Sequence, residues 1–148
     1  AQINLDQVTI SFFDGNSNLE YYTQSLSGAG LLEAGSYFVI GSPLVTDLLP
    51  PNTQFTNLGA TLQNGGASAD AVRLENAQGE IYDALSYEGA GEVIAGYTEG
   101  SGQSDGDDPN LSLNGTLSRC PNGVDTNQND QDFILSDQAT PGRANLCP

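Results

Sequence analysis

Oxygen-bearing side chains recur at alternate positions in one acidic stretch near the C-terminal end of the chain, which is the ligand chemistry of a calcium loop. Asp125, Asn127 and Asn129 supply these oxygens and Asp130 follows directly, and Ca²⁺ takes six to eight such ligands. The stretch is not an EF-hand, because Asp130 replaces the turn glycine and Ser136 replaces the bidentate glutamate. A second acidic run, which folding could bring nearby, contains three further carboxylates: Asp105, Asp107 and Asp108. We expect these residues either to hold a structural Ca²⁺ or, as Asn and Asp commonly do, to form turns and cap backbone amides.

Arg119 is one of only three basic residues in the chain and stands beside this acidic stretch. A guanidinium group binds a carboxylate through two parallel hydrogen bonds, which fixes the geometry of both partners. We therefore predict a structural salt bridge between Arg119 and Asp132, with Asp125 as the alternative partner. Arg73 is predicted to pair across two strands with Asp83.

Two cysteines, Cys120 and Cys147, suit a disulfide better than a metal site, because two thiols without a histidine make a poor zinc cage. A bridge over this spacing stabilises a fold by roughly 3–4 kcal/mol in the chain-entropy model. Disulfides persist in oxidising compartments, so we expect a secreted, extracellular or cell-surface protein. The first residues, Ala1-Gln2 without an initiator methionine, are typical of a chain whose signal peptide has been removed.

Composition removes most catalytic chemistry, since the chain has no histidine and no lysine. Ser/His/Asp and Cys/His nucleophile systems, Schiff bases and P-loops are therefore impossible within it. Glu88 and Glu92 could be a glycosidase carboxylate pair, but neighbouring acids are expected by chance in so acidic a chain. We expect no enzymatic activity.

The net charge of −16 limits the classes of partner that this protein can bind. Nucleic acid and anionic membrane surfaces would repel it, so we predict that it binds neither. An acidic surface suits a divalent cation or a basic partner, and it also keeps a secreted protein in solution. No apolar run approaches the roughly 20 residues that span a bilayer, so no membrane insertion is expected.

The elements that must position these residues have a period of two and are separated by Gly, Asn, Asp and Pro, which predicts β-strands. Hairpin signals join the first two strands at Asp14–Asn18 and another pair at Asn76–Gly79. The predicted strands are Val8–Phe13, Glu20–Ser25, Tyr37–Gly41, Ala69–Glu75, Glu80–Tyr87, Leu111–Arg119 and Asp132–Leu135. Residues 89–108 read as a long irregular loop. We expect one all-β domain over residues 1–148, built as a β-sandwich.

Three segments carry a family resemblance. DAVRLENAQGEIYDALSYEG (Asp70–Gly89), TLSRCPNGVDTNQNDQDF (Thr116–Phe133) and TPGRAN (Thr140–Asn145) resemble the lamin tail domain family. The resemblance implies an immunoglobulin-like β-sandwich. Members occur in nuclear lamins and in bacterial secreted and surface proteins, often beside nuclease or phosphatase domains.

One departure from that family concerns the front of the chain, where no opening strand precedes Ile3. A sandwich without its first strand exposes unpaired backbone that another segment can fill. We expect a homopolymer or homo-oligomer in which one copy donates a strand to the next, propagating into a filament if rotation closes no ring. The predicted donor residues are Ala1, Gln2, Ile3, Asn4, Leu5 and Asp6. The chain could equally be a fragment or a shorter family member.

Two functions of different classes follow. The first is a non-enzymatic secreted structural protein that self-assembles into an extracellular filament or surface layer. The alternative is an accessory binding module for a carbohydrate, protein or cell-wall ligand, attached to a secreted nuclease or other hydrolase. Tyrosines that could stack on sugars are Tyr21, Tyr22, Tyr37, Tyr82, Tyr87 and Tyr97. Sequence completeness separates the two, since adjoining catalytic sequence would favour the module.

Overall fold

Strands account for most of the regular structure in the computed structural model, which describes residues 2–63, 68–87, 92–102 and 115–148. Strand makes up 38% of the structure and helix 9%, so the predicted all-β class is confirmed. The strands are β1 (Ile3–Asn4), β2 (Val8–Asp14), β3 (Leu19–Ser25), β4 (Leu31–Leu32), β5 (Phe38–Gly41), β6 (Gln54–Asn57), β7 (Asp70–Asn76), β8 (Ile81–Tyr87), β9 (Thr116–Arg119) and β10 (Phe133–Ser136). The helical turns are a 3-10 helix (Leu5–Gln7), α1 (Pro43–Thr46) and α2 (Asn129–Asp132).

Every predicted strand overlaps an observed one, with bounds that differ by a residue or two for most of them. The predicted strand Leu111–Arg119 is observed only as β9, and residues 111–114 lie outside the described part of the chain. The predicted strands did not include β4 and β6, and β1 was expected only as part of a strand donated to another copy, whereas it pairs with β4 of its own chain. Residues 92–102, the described part of the predicted long loop, contain only turns and bends.

Four strands form the main antiparallel sheet, in the order β3-β2-β7-β8. The alternation of β2 explains its two faces, because side chains of successive residues point to opposite sides of a sheet. Val8, Ile10 and Phe12 are buried on one side, whereas Ser11 lies on the other side beside Thr23 of β3 and opposite β7. One face is therefore apolar and the other largely polar.

The core lies on the apolar face of this sheet. Its buried centre consists of Leu5, Val8 and Leu26, against which partly buried side chains pack: Ala29, Leu32, Phe38, Ile40 and Leu74. Because Phe38 and Ile40 belong to β5, that strand covers the main sheet. The smaller sheets are the antiparallel pairs β1-β4 and β9-β10 and the parallel pair β5-β6.

The residues predicted to donate a strand to a neighbouring copy lie within the chain's own fold. Ile3 and Asn4 pair with β4, and Leu5 is buried with only 5% of its surface exposed. The Asp6 carboxylate accepts hydrogen bonds from the amides of Gly28 and Gly30 at 2.8 and 2.9 Å. The side chain of Gln2, which is exposed, donates to Glu33, and Ala1 lies outside the described residues. Strand exchange would therefore require this segment to leave its own subunit.

No helix in the described ranges has the length and apolar character needed to cross a bilayer.

Candidate functional site

Arg119, at the end of β9, is the centre of a charged cluster that contains three carboxylates among the described residues. Its Nη2 donates to both carboxylate oxygens of Asp83 at 2.7 Å. Its Nη1 lies 3.3 Å from Asp125 Oδ1 and 3.3 Å from Asp132 Oδ2. The guanidinium stacks 4.4 Å from the centroid of the Phe133 ring. Both predicted partners are therefore in contact with Arg119, and Asp83 on β8 is a third partner that the sequence analysis assigned elsewhere.

The predicted cross-strand pair between Arg73 and Asp83 is wrong. Arg73 lies opposite Ala84, whereas Asp83 lies opposite Leu74 and so faces the other side of the sheet. The actual partners of Arg73 are the carboxylates of Glu75 at 3.1 Å and Glu20 at 3.6 Å and the ring of Tyr97 at 4.4 Å. Asp83 is thereby left to Arg119, and each of these two arginines braces a different part of the main sheet.

Asn129, at the start of α2, is fully buried against the outer edge of the main sheet. Its Nδ2 donates to Ala84 O at 2.7 Å, and its Oδ1 accepts from Ser86 N and Glu99 N, both at 3.2 Å. β8 is the edge strand of the main sheet. The Asn129 amide therefore makes hydrogen bonds to Ala84 and Ser86 of the kind that a further strand would make. It thus fastens the C-terminal loop to the sheet.

Asp132, at the end of α2, is 2% exposed, and its hydrogen bonds stabilise the loop that leads into α2. It accepts hydrogen bonds from the Thr126 amide at 2.9 Å, the Thr126 hydroxyl at 2.7 Å and the Gln128 amide at 3.3 Å. Burial opposes its ionisation, but these hydrogen bonds and the charge of Arg119 hold its pKa below the ordinary value. Asp132 is therefore ionised at neutral pH and depends on Arg119 for charge balance.

The C-terminal segment is tied to the same place. Cys120 and Cys147 are bonded, with their Cα atoms 5.6 Å apart. Asn145 Nδ2 donates to Arg119 O at 3.0 Å, and Asn145 N donates to Asn122 Oδ1 at 3.0 Å. All three segments that carry the family resemblance therefore meet at Arg119, because Asp83 belongs to the first, Arg119 to the second and Asn145 to the third.

The residues predicted to ligate calcium do not form one ligand set. Asn129 is engaged with backbone groups of β8, and Asp130 is exposed. Asp125 Oδ1 faces Arg119 and accepts from the Asn127 amide at 2.9 Å, which is the turn-forming alternative. Three of the predicted ligands lie outside the described residues: Asp105, Asp107 and Asp108. A calcium ion bound by those residues stays a prediction.

One predicted ligand, Asp125, instead comes together with two carboxylates that the sequence analysis did not assign to a metal site: Asp83, Glu99 and Asp125 offer oxygen atoms within 4.8 Å of one another. This spacing could hold a hard cation, but the positive charge of Arg119 already neutralises part of the cluster. Glu99 Oε2 is buried and has no hydrogen-bond partner among the described residues. Burial, followed by the negative charges of Asp83 and Asp125, raises the pKa of Glu99 to about 7.

A pH dependence follows from this raised pKa. Between about pH 4.5 and 7 the folded protein keeps a proton on Glu99 that the unfolded chain has released, so the free energy of unfolding falls as pH rises. At pH 8 we expect Glu99→Gln to have a free energy of unfolding about 1 kcal/mol higher than that of the parent protein, after allowance for solvent screening, as measured by urea unfolding. Near pH 4.5 the two proteins should be equally stable. The exposed Asp47→Asn is the control of equal charge change. Parallel stability curves for parent and Glu99→Gln across this range would contradict the expectation.

The carboxylate pair considered for glycoside hydrolysis receives no geometric support from the described residues. Glu88 lies outside them. Glu92 Oε2 accepts a hydrogen bond from Ala69 N at 2.8 Å, which holds the loop that follows β8 against the start of β7. Glu92 therefore has a local structural contact.

Comparison of the chain with protein-family models, with curated proteins and with solved structures finds no match. The resemblance to the lamin tail domain family consequently depends on the three sequence segments alone. The hydrogen bonds of the Arg119 cluster among the described residues join β8, β9, the α2 loop and the C-terminal segment to one another, so the cluster braces these parts of the fold.

Proposed function

We propose that this protein is a secreted, non-enzymatic structural protein with a lamin-tail-like, immunoglobulin-like β-sandwich, and that it assembles with itself by exchange of the segment Gln2–Asp6. The observation that carries the proposal is the position of Leu5. It is buried in the core cluster, and among the described residues the strand pairing of the segment to which it belongs is limited to Ile3 and Asn4 of β1.

The fold part of the proposal is supported by the layered arrangement. A four-stranded antiparallel sheet buries its apolar face under β5, which is the layering of a sandwich. The meeting of three motif segments at Arg119 gives the resemblance a physical reason, since these residue types hold the C-terminal loop in place. The disulfide is compatible with an extracellular location.

The exchange part is supported by the contacts of the segment that precedes β2. Leu5 N donates to Gly30 O at 2.8 Å, and Asp6 caps the amides of Gly28 and Gly30. A neighbouring copy can supply the same groups, so exchange preserves these contacts at the cost of association entropy and of the hydrogen bond from Val8 N to Leu5 O that closes the 3-10 helix. The 3-10 helix Leu5–Gln7 is the hinge that would have to extend.

Assembly by pairing of edge strands from two copies is less favourable at the β8 edge of the main sheet. Asn129 already occupies the backbone groups of Ala84 and Ser86 on the outer edge of β8. An added strand would have to displace this buried amide, which leaves unsatisfied polar groups. Strand exchange at the opposite end of the chain needs no such displacement.

The test compares the full chain with a variant lacking residues 1–6, both purified without reductant and examined by size-exclusion chromatography and negative-stain microscopy, with calcium chloride or with EDTA. We expect oligomers or filaments from the full chain and none from the deletion variant. A synthetic peptide of sequence AQINLD should bind the deletion variant, and the same peptide with Leu5→Asp should not, because Leu5 fills the core.

A matched control is Leu19→Ala, which removes a leucine that is 63% exposed and should leave assembly unchanged. A full chain that stays monomeric at every concentration, with and without Ca²⁺, would contradict self-assembly and favour the accessory-module function. Failure of the peptide to bind a folded deletion variant would contradict the exchange mechanism specifically.

A further inference from the structure

A cavity of about 230 Å³ opens between three segments that are distant in sequence. Tyr37 precedes β5, Pro50–Gln54 forms a turn that leads into β6, and Gly142 belongs to the C-terminal segment. Among the residues that the structure describes, no charged side chain lines the cavity, although the chain carries a net charge of −16. The described lining is therefore neutral.

The walls are held in place by contacts from all three segments. The Thr53 amide donates to Pro50 O at 3.2 Å, which closes the turn. Gly142 has a φ of 71° and packs so closely that a Cβ atom there would lie 2.9 Å from Thr53 Cγ2 and 3.2 Å from Pro50 Cδ. The phenol of Tyr37 accepts a hydrogen bond from Asn122 Nδ2 at 3.0 Å. The cavity is thus preformed, which lowers the entropic cost of binding.

The polar groups of the cavity are uncharged and suit hydroxyl groups. Gln54 Nε2 is committed to Ala29 O and Leu31 O, both at 3.2 Å, so its Oε1 remains as an acceptor. Asn52 is exposed at the rim with a φ of 68° and offers an amide donor and acceptor. Tyr37 contributes an apolar ring with a polar end.

We propose that this cavity binds a neutral carbohydrate, one or two sugar rings of a longer glycan. A sugar ring has an apolar C–H face for Tyr37 and the prolines and hydroxyl groups for Asn52 and Gln54. An anionic ligand would meet the negative field of the whole chain, and a cation would find no opposite charge in the lining. The volume lies below the roughly 300–1,000 Å³ of sites that enclose drug-sized molecules, which fits one or two rings.

The test titrates the full chain with three neutral oligosaccharides, chitotetraose, cellotetraose and mannotetraose, and follows backbone amide chemical shifts by NMR. Saturable shifts are expected at Tyr37, Asn52, Thr53 and Gly142 with at least one of them. Tyr37→Ala should weaken binding by roughly tenfold, which is the upper range for loss of an aromatic contact.

Asn52→Gly is the second variant, because glycine adopts the positive φ of this position without strain and the fold is retained. It should weaken binding by about threefold to tenfold, as expected for a neutral hydrogen bond. Tyr82→Ala removes a tyrosine that is 45% exposed on β8 and should leave binding unchanged. Absence of saturable shifts with all three sugars, or equal affinity for parent and both cavity variants, would overturn the proposal. Self-assembly is read by a different measurement, so the two proposals fail independently.

Discussion

Replacement of Arg119 by methionine is expected to lower the free energy of unfolding by about 3–5 kcal/mol, the cost of leaving a buried charge without its partner. Asp132 is 2% exposed and its side chain stays ionised through hydrogen bonds that do not depend on Arg119. Asp83 and Asp125 would then repel it across a cluster with no cation. Urea unfolding of the non-reduced protein, followed by circular dichroism, measures the change.

Arg143→Met is the matched control, since Arg143 is exposed and the substitution changes the net charge by the same amount. It should alter the free energy of unfolding by less than about 0.5 kcal/mol. Arg119→Lys keeps the charge but not the two-pronged geometry, so it should fall between parent and Arg119→Met. Adding Asp83→Asn to Arg119→Met should recover part of the loss, because one repelling charge is removed. A loss below about 1 kcal/mol for Arg119→Met would show that the cluster does not stabilise the fold.

Replacement of both Cys120 and Cys147 by serine is expected to lower the free energy of unfolding by about 3–4 kcal/mol. The bond closes a loop with a sequence separation of 27 residues, and its loss returns that conformational freedom to the unfolded chain. Thermal unfolding and amide hydrogen exchange measure the change. Amides of residues 140–147 should exchange faster, because the hydrogen bonds of Asn145 and the packing of Gly142 against Thr53 and Pro50 then anchor that segment without a covalent link.

Reduction of the parent protein is the internal control for this variant. The reduced parent and the double serine variant should unfold at the same urea concentration, since both lack only the covalent link. Equal stability of the oxidised parent and the double serine variant would mean that the native hydrogen bonds of the C-terminal segment are sufficient by themselves.

Local sequence pattern was enough to predict the four strands and the two hairpins of the main sheet, but not the pairing of β2 with β7 that joins the hairpins. Val8, Ile10 and Phe12 alternate with polar residues, and turn signals at Asp14–Asn18 and Asn76–Gly79 join neighbours in sequence into hairpins. The pattern could not indicate β6, because its parallel pairing with β5 starts at Phe38 and Gln54 and needs a connection across α1. It also could not indicate β1 and β4, which have two residues each and therefore no measurable period.

The charged cluster around Arg119 could likewise be predicted only in part. Arg119 and Asp132 lie in one motif, so their proximity could be predicted from its length. Asp83 lies 36 residues before Arg119, and its orientation depends on the register between β7 and β8, which shifts between Leu74 and Glu75. Nothing in the sequence around Asn129 marks it as a buried residue, because its role arises only when β8 becomes an edge strand.

The Cys120–Cys147 bond also decides how the molecule would respond to mechanical load. Force applied at the C-terminal end reaches Cys147 and passes directly to Cys120 at the end of β9, so the intervening residues carry none of it while the bond is intact. Those residues include β10 and the loop that holds Asn129. Stretched between the termini, the oxidised protein should extend by about 90 Å less than the reduced one, the contour length of the 27-residue span. A filament of such subunits would be inextensible over this part of every link.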